Sequence, residues 1–208
     1  MFELSKNLKV LALGAHPDDV ELSCGGSLLK LKSEYKAEIY ILIFTKGELK
    51  SNPVVRTKEQ INAGKFLKVS GSKILNYKDG SIATNSTLVS EIERYIDEWK
   101  PNLVFTHCLE DIHQDHRNVA WATLSATRRT NQGVLFYPSM FTRDRFIPNF
   151  YVDITKWIDK KIEMLSLFKS QAYKEYMSPE VIVAQAKDSG LHSGCECAEE
   201  FFLNYWVC

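Results

Sequence analysis

The sequence predicts an α/β domain built on a mainly parallel sheet with helices on both faces. Three observations carry that expectation. Short apolar runs rich in β-branched and aromatic residues recur at Val10–Gly14, Ala37–Thr45, Leu103–Thr106 and Gly133–Tyr137, as strands buried on both faces require. Segments of about 10–15 residues with helical spacing separate them, which is the signature of βαβ units. Finally, the 208 residues show no internal repeat, low-complexity tract or linker, so residues 1–208 read as one domain, long enough for a substantial core.

Taken in order, Val10–Gly14 is the first strand and Val20–Lys32 a helix whose core face holds Leu22, Leu28, Leu29 and Leu31. Gly25 and Gly26 interrupt it, and each glycine costs about 1 kcal/mol against alanine there. Two readings stand side by side: another backbone approaches closely, or the helix starts late, near Ser27. Ala37–Thr45 is the second strand. Asn52 caps a helix that has Pro53 in its first position and runs to about Val69. A short strand follows at Ile74–Tyr77, then a turn at Asp79-Gly80 and a helix capped by Ser86 that runs to Trp99. Leu103–Thr106 is the fourth strand, followed by a helix to about Arg129 and a strand at Gly133–Tyr137. Asn149–Ile154 reads as a further strand, with Thr155 capping a helix that reaches Phe168. Ser178–Lys187 is the last helix, Gly190 and Gly194 lie in a loop, and Glu200–Val207 closes the chain as a strand. In a doubly wound sheet the first and fourth strands are neighbours at the switch point, where ligands bind.

Composition excludes several classes. Lys+Arg and Asp+Glu both number 26, so no global field favours nucleic acid or an anionic membrane. No apolar run approaches the roughly 20 residues of a membrane-spanning helix, and Val10–Gly14 is too short for the apolar core of a signal peptide. The five cysteines are scattered, and Cys195-x-Cys197 lacks a second pair, which argues against a structural cysteine-type zinc site and for reduced thiols in the cytoplasm.

The chemistry-bearing residues sit at two strand ends. Ala15-His16-Pro17-Asp18-Asp19-Val20-Glu21 follows the first strand, and His113-Gln114-Asp115-His116 follows the fourth. Alone, the first stretch reads equally well as an ordinary loop with Asp19 as a helix cap. Together, the two loops offer the His, Asp and His that a catalytic zinc site takes while leaving a position open. Asp18 is then a spare carboxylate suited to act as a general base, and His113 a spare imidazole suited to act as an acid or electrostatic stabiliser.

These two stretches resemble the LmbE-like (PIG-L) family of zinc-dependent N-deacetylases. Further matches are Thr45-x-Gly47-Glu48, Arg56-x-x-Glu59, Asp153-Ile154 before Lys161, and Ser170-Gln171. The resemblance implies a single Rossmann-like domain and hydrolysis of an N-acetyl group from an amino sugar or its conjugate. It implies one zinc ion per chain, ligated by His16, Asp19 and His116. Asp18 would be the base, His113 would stabilise the oxyanion or protonate the leaving amine, Asp115 would orient His113, and Arg56 would contact the substrate. The partner implied is a small N-acetylated sugar, with neither nucleic acid nor membrane; homo-oligomerisation stays open. One departure stands out: where the family often carries Tyr-Ala-Glu-x-Phe, this chain has Cys197-Ala198-Glu199-Glu200-Phe201, so a tyrosine contribution is absent or comes from elsewhere. The competing functions are an amidase cleaving a thiol- or peptide-like conjugate on the same scaffold, and a non-catalytic sugar- or nucleotide-binding module. His107 reads as a structural residue at a strand end and His192 as part of a solvated loop. Arg56 pairing with Glu59 on the helix surface is the bland alternative to substrate contact. Specificity would reside in the loops around residues 46–55, 138–148 and 172–195.

Overall fold

The computed structural model describes residues 7–142 and 145–205. Its strands are β1 (Lys9–Gly14), β2 (Glu38–Ile43), β3 (Gly71–Ile74), β4 (Leu103–His107), β5 (Gly133–Tyr137), β6 (Phe150–Asp153) and β7 (Ala198–Tyr205). They form one sheet in the order β3-β2-β1-β4-β5-β7-β6. The pairings from β3 across to β5 are parallel; β7 runs antiparallel to both β5 and β6. The helices are α1 (Asp19–Glu34), α2 (Pro53–Leu67), α3 (Ser86–Trp99), α4 (Gln114–Ala126), α5 (Ile158–Leu165) and α6 (Pro179–Ser193). Among the described residues no helix is long and apolar enough to cross a membrane.

Strand alternation decides which helices cover which face. Val10, Ala12, Ile39, Ile41, Phe105 and Leu135 point to the side packed by α1, α2, α5 and α6, through Val20, Leu28, Leu67, Met164 and Ile182. Leu11, Leu13, Leu42, Phe44 and Val104 point to the other side, packed by Leu88, Ile92 and Ile96 of α3 and Val119 and Ala122 of α4. Both sides are buried, which is why these strands carry continuous apolar runs. The chain winds outward from β1 through β2 to β3, then returns through α3 to place β4 against the other edge of β1. Val10 pairs with Leu103 and Ala12 with Phe105, so the loops leaving β1 and β4 emerge side by side.

Several local expectations shift. The third strand lies at Gly71–Ile74 rather than Ile74–Tyr77, because the ladder partner ends: Tyr40 to Ile43 of β2 pair with Gly71 to Ile74. Beyond that, Leu75 and Tyr77 make single amide bonds to Ile43 and Phe44. Asn85, not Ser86, caps α3, accepting the Leu88 amide at 3.0 Å. Thr155 does not cap α5; its hydroxyl accepts the Cys197 amide at 3.1 Å and ties the chain to β7, and the helix ends at Leu165. α6 runs six residues further than expected, so Gly190 is helical and Gly194 is its left-handed C-cap, φ 76°. His192 is exposed on that helix. The closing strand spans Ala198–Tyr205; Val207 lies outside the described residues.

α1 starts at Asp19, so the glycines do not mark a late start. The helix kinks at Cys24, φ −132°. The freed amides of Gly26 and Ser27 bond to the Glu199 carboxylate at 2.9 and 2.7 Å, and Lys161 reaches the same carboxylate at 2.6 Å. Close approach explains the glycines, but by side chains rather than backbone. A Cβ on Gly25 would stand 2.6 Å from the Met164 methyl, and one on Gly26 would stand 2.8 and 3.0 Å from two Ile154 carbons. The flexible Met164 can yield, whereas β-branched Ile154, buried between sheet and helix, cannot. Gly26→Val is therefore expected to lower stability by about 2 kcal/mol through overpacking. Gly25→Ala is expected to be nearly neutral, the roughly 1 kcal/mol gained in helix propensity offsetting a small shift of Met164. Urea unfolding midpoints of the two variants check the contrast.

Candidate metal centre and active site

β1 ends at Gly14, and the turn into α1 carries His16, Asp18 and Asp19. The Asp19 carboxylate accepts the His16 amide at 2.7 Å and closes this turn. β4 ends at His107, and α4 begins after His113, whose Nδ1 accepts the Asp115 amide at 3.3 Å. A direct bond joins the two strand ends: the Ala15 amide donates to His107 Nε2 at 3.0 Å.

The two loops bring His16, Asp19 and His116 together. His16 Nδ1 lies 3.4 Å from Asp19 Oδ2 and 3.3 Å from His116 Nε2, and Asp19 Oδ2 lies 3.6 Å from His116 Nε2. Ligands about 2.1 Å from a tetrahedral zinc ion stand about 3.4 Å from each other. The tautomers support the same reading. His16 Nε2 faces Asp79 at 3.0 Å and Asp115 at 3.2 Å, so that nitrogen carries the proton. His116 Nδ1 faces Asp111 at 2.8 Å and carries its proton likewise. The other two nitrogens, His16 Nδ1 and His116 Nε2, therefore face one another and the Asp19 carboxylate, a junction that either a second proton on His16 or a bound cation satisfies. The donor set thus fits zinc, with a carboxylate behind each histidine to fix its orientation and raise its basicity. Other combinations in the cluster also fall within 4.8 Å, among them Asp19, His107, His116 and His16, His113, His116. The Nε2 lone pair of His107 is already taken by the Ala15 amide. Burial holds the His107 imidazole down at about 4, so it is neutral and its 3.2 Å approach to Asp19 is not an ion pair. It is fully buried and stacks on His116 with ring centres 4.0 Å apart. His113 stacks on the opposite side of the same ring at 4.5 Å.

Asp18 is held from three directions. It adopts a left-handed backbone, φ 89°, which costs a non-glycine residue about 1 kcal/mol. Arg56 donates to its carboxylate at 3.0 Å and to the Pro17 carbonyl. Gln60 accepts its amide at 3.1 Å. Burial pushes the Asp18 carboxyl above its ordinary value, against the neighbouring Arg56 charge, which suits a proton acceptor. His113 is half-buried in the same cleft. Desolvation, and then the neighbouring His116 and His16, hold its imidazole below its ordinary value. With Nδ1 accepting the Asp115 amide, neutral His113 presents Nε2–H as a donor.

Two expectations change here. Asp115 does not orient His113 with its carboxylate; that group takes the Gly80 and Ile82 amides at 2.7 and 3.0 Å and faces His16. The helical turn from His113 to Asp115 sends the side chain back under the β1 loop, and only the backbone amide reaches His113. Arg56 lines the cleft, yet two of its donors are engaged on Asp18 and Pro17, and it does not pair with Glu59. Glu59 instead accepts the Ser170 amide and hydroxyl at 2.8 and 2.6 Å.

The cleft has a volume of about 420 Å³. All three loop regions expected to hold specificity contribute to it: Leu49, Lys50 and Ser51; Phe141; and Tyr173, Lys174 and Tyr176. Tyr176 packs edge-on against Phe141 at 6.3 Å, so tyrosines reach this cleft from the 172–176 segment rather than from the closing strand. The residues that sequence reading missed are Asp79, Asp111, Gln60 and these tyrosines. Asp111 was within reach, lying two residues before His113 in an acid- and histidine-rich run. Asp79 was hidden inside a stretch that reads as a plain turn.

A doubly wound α/β domain with a histidine–carboxylate cluster at its switch point belongs to the class of α/β folds that carry their site at the strand ends, and similarity narrows the class. The family model described as PIG-L, GlcNAc-PI de-N-acetylase, matches residues 11–127. The uncharacterized deacetylase YaiS of Escherichia coli (strain K12) is 31% identical over 176 residues, 80% of this chain and 93% of that protein. The diacetylchitobiose deacetylase of Thermococcus kodakarensis is 25% identical over 78% of this chain and 70% of that protein. Among solved structures, the conserved protein TT1542 of Thermus thermophilus superposes with a TM-score of 0.85 at 27% identity, covering 97% of this chain and 96% of that one. The chain belongs to the PIG-L (LmbE-like) family, and its deacetylase relatives support a hydrolase.

Removing the carboxylate behind His116 tests the metal centre. Calorimetric titration with zinc is expected to show one site per chain, weakened about 10- to 100-fold in Asp111→Ala although no ligand has been deleted.

Proposed function

We propose that this protein is a zinc-dependent N-deacetylase that hydrolyses the N-acetyl group of an amino sugar or sugar conjugate, releasing acetate and the free amine. The convergence of three lone pairs from His16, Asp19 and His116 beside a buried, Arg56-held Asp18 carries this reading. These three residues would hold the metal. Zinc, when bound there, supplies a Lewis acid for the acyl carbonyl and lowers the pKa of a water. Asp18 accepts the proton of the attacking water and hands it to the departing nitrogen. His113 donates from Nε2 to the developing oxyanion. Arg56 keeps Asp18 aimed and closes the cleft on the Pro17 side. Phe141, Tyr173 and Tyr176 offer ring faces for a sugar, and Lys50 and Lys174 offer donors to its hydroxyls or substituents. The relative named as a diacetylchitobiose deacetylase supports the acetylated-sugar substrate class. The four cysteines among the described residues are all unpaired, which supports a reducing, cytoplasmic setting.

Incubating the zinc-loaded protein with free, nucleotide-linked and conjugated N-acetyl sugars, read by mass spectrometry, is expected to reveal loss of one acetyl group and an equal yield of acetate. Cleavage of a larger acyl conjugate with no acetate would instead establish the amidase alternative, and zinc-loaded protein that binds sugars without turnover would establish the binding module.

The adjacent aspartates separate metal binding from proton transfer. Asp18→Asn is expected to keep zinc and lose about 10²–10⁴ in kcat, the usual effect of losing a general base. Asp19→Asn is expected to lose zinc affinity and regain part of its activity at high zinc. Paired metal titrations and acetate assays decide; retention of metal by Asp19→Asn with its loss from Asp18→Asn would exchange the two roles.

A further inference from the structure

Glu21 and Gln60 are both buried, at 0% and 3% exposure, and neither enters the chemistry above. Gln60 Nε2 donates to Glu21 Oε1 at 2.6 Å, while Gln60 Oε1 accepts the Asp18 amide at 3.1 Å. The orientation of the Gln60 amide is determined at both ends: flipping it would set an NH₂ group against the Asp18 N–H and an oxygen against the Glu21 carboxylate. Among the described residues Gln60 is the one side chain bonded to Glu21, and Glu21 Oε2 has no partner there. Nothing else there explains a carboxyl group in an apolar interior.

We propose that Glu21 and Gln60 form a strut that holds the left-handed backbone of Asp18 and thereby aims its carboxylate, making Gln60 a positioning residue for the hydrolysis. The inference rests on the reading of Asp18 as the base. Arg56 and Gln60 lie four residues apart on α2 and so share one face of that helix. α2 thus grips Asp18 twice, by its carboxylate through Arg56 and by its amide through Gln60. The second grip acts on a residue with φ 89°, a conformation that persists only where its surroundings over-determine it. Without Gln60 the Asp18 amide loses its only acceptor among the described residues, the loop relaxes toward an unstrained backbone, and the carboxylate turns away from the water it serves. The His16 and Asp19 contacts are made by other atoms, so metal binding is left in place.

The experiment uses full-length, zinc-loaded protein and an acetylated sugar that it turns over. Gln60→Met, close in volume but unable to accept a hydrogen bond, is expected to lower kcat about tenfold to a hundredfold, the effect of a displacement near 1 Å. KM and zinc affinity are expected to stay within about twofold, because that displacement leaves ligands and cleft walls in place. Amide exchange at Asp18 is expected to quicken. Glu21→Leu is expected to repeat this pattern. Glu21→Gln, which keeps the acceptor for Gln60, is expected to recover kcat to within about threefold of wild type, since the strut needs that oxygen and not a charge or a proton. Equal losses in Glu21→Gln and Glu21→Leu would overturn the strut, as would Gln60→Met with wild-type kcat, or a kcat loss that follows zinc loss. If Gln60→Met does not fold, the Glu21 pair decides. Asp18→Asn serves as the control: full activity there removes the reading of Asp18 as base, whereas an inactive Asp18→Asn with a fully active Gln60→Met removes the strut alone.

Discussion

The parallel pairing of β1 with β4 is the constraint on which the rest of the molecule depends. It is a contact between segments more than ninety residues apart, with Val10 opposite Leu103 and Ala12 opposite Phe105. Because α3 returns the chain to the unused edge of β1, two loops with no sequence proximity leave the sheet together. The bond from the Ala15 amide to His107 Nε2 locks the two strand ends at the point of divergence. A shift of one residue in this pairing would turn the apolar sets of β4 to the wrong faces, and with them the loop that carries His113 and His116. Core packing and site geometry are therefore set by the same register.

Around the convergence point, polar groups are arranged in shells that satisfy one another. His16 and His116 each present one nitrogen inward and give the other to a carboxylate, Asp79 and Asp115 in one case and Asp111 in the other. Those carboxylates are in turn held by the amides of Leu49, Gly80, Ile82 and His113. Stacking between His107 and His113 leaves the His116 ring no room to turn. Such a buried cluster is tolerable only when nearly every donor and acceptor is matched. Among the described residues His107 Nδ1 is left without a partner, and His16 Nδ1, His116 Nε2 and Asp19 Oδ2 converge on one another, which is the place to expect a cation.

The cleft wall is built separately from the histidine–carboxylate cluster. Its far side comes from the 172–176 segment, which is anchored through Ser170 to Glu59 and through Gln171 to Ser51. α2 thereby links the cleft wall to Asp18, the proposed base: Arg56 and Gln60 face Asp18, and Glu59 faces the wall. The chain's departure from the tyrosine common near the family's C-terminus is consistent with this division, since Cys197 is buried just ahead of the closing strand while Tyr173 and Tyr176 line the cleft.

The sequence by itself determined the fold class, most element positions and the two loops of candidate ligating residues. Those properties are local: apolar runs read out strands, Asn52-Pro53 reads out a helix start, and histidines and aspartates at two strand ends, taken together, read out a candidate metal site. It also determined, through resemblance, which family the chain joins. What it left open depends on distance. Whether Gly25 and Gly26 mark a late helix or a close contact turned on Met164 and Ile154, more than a hundred residues away. The end of β3 turned on where β2 stopped offering partners. Asp115 went to His16 rather than His113, and Asp79 and Gln60 became parts of the site, because long-range packing chose their neighbours. Only the tertiary structure could decide these matters, since a side chain's chemistry is written at its own position but the atom it bonds is set by how remote segments are brought together.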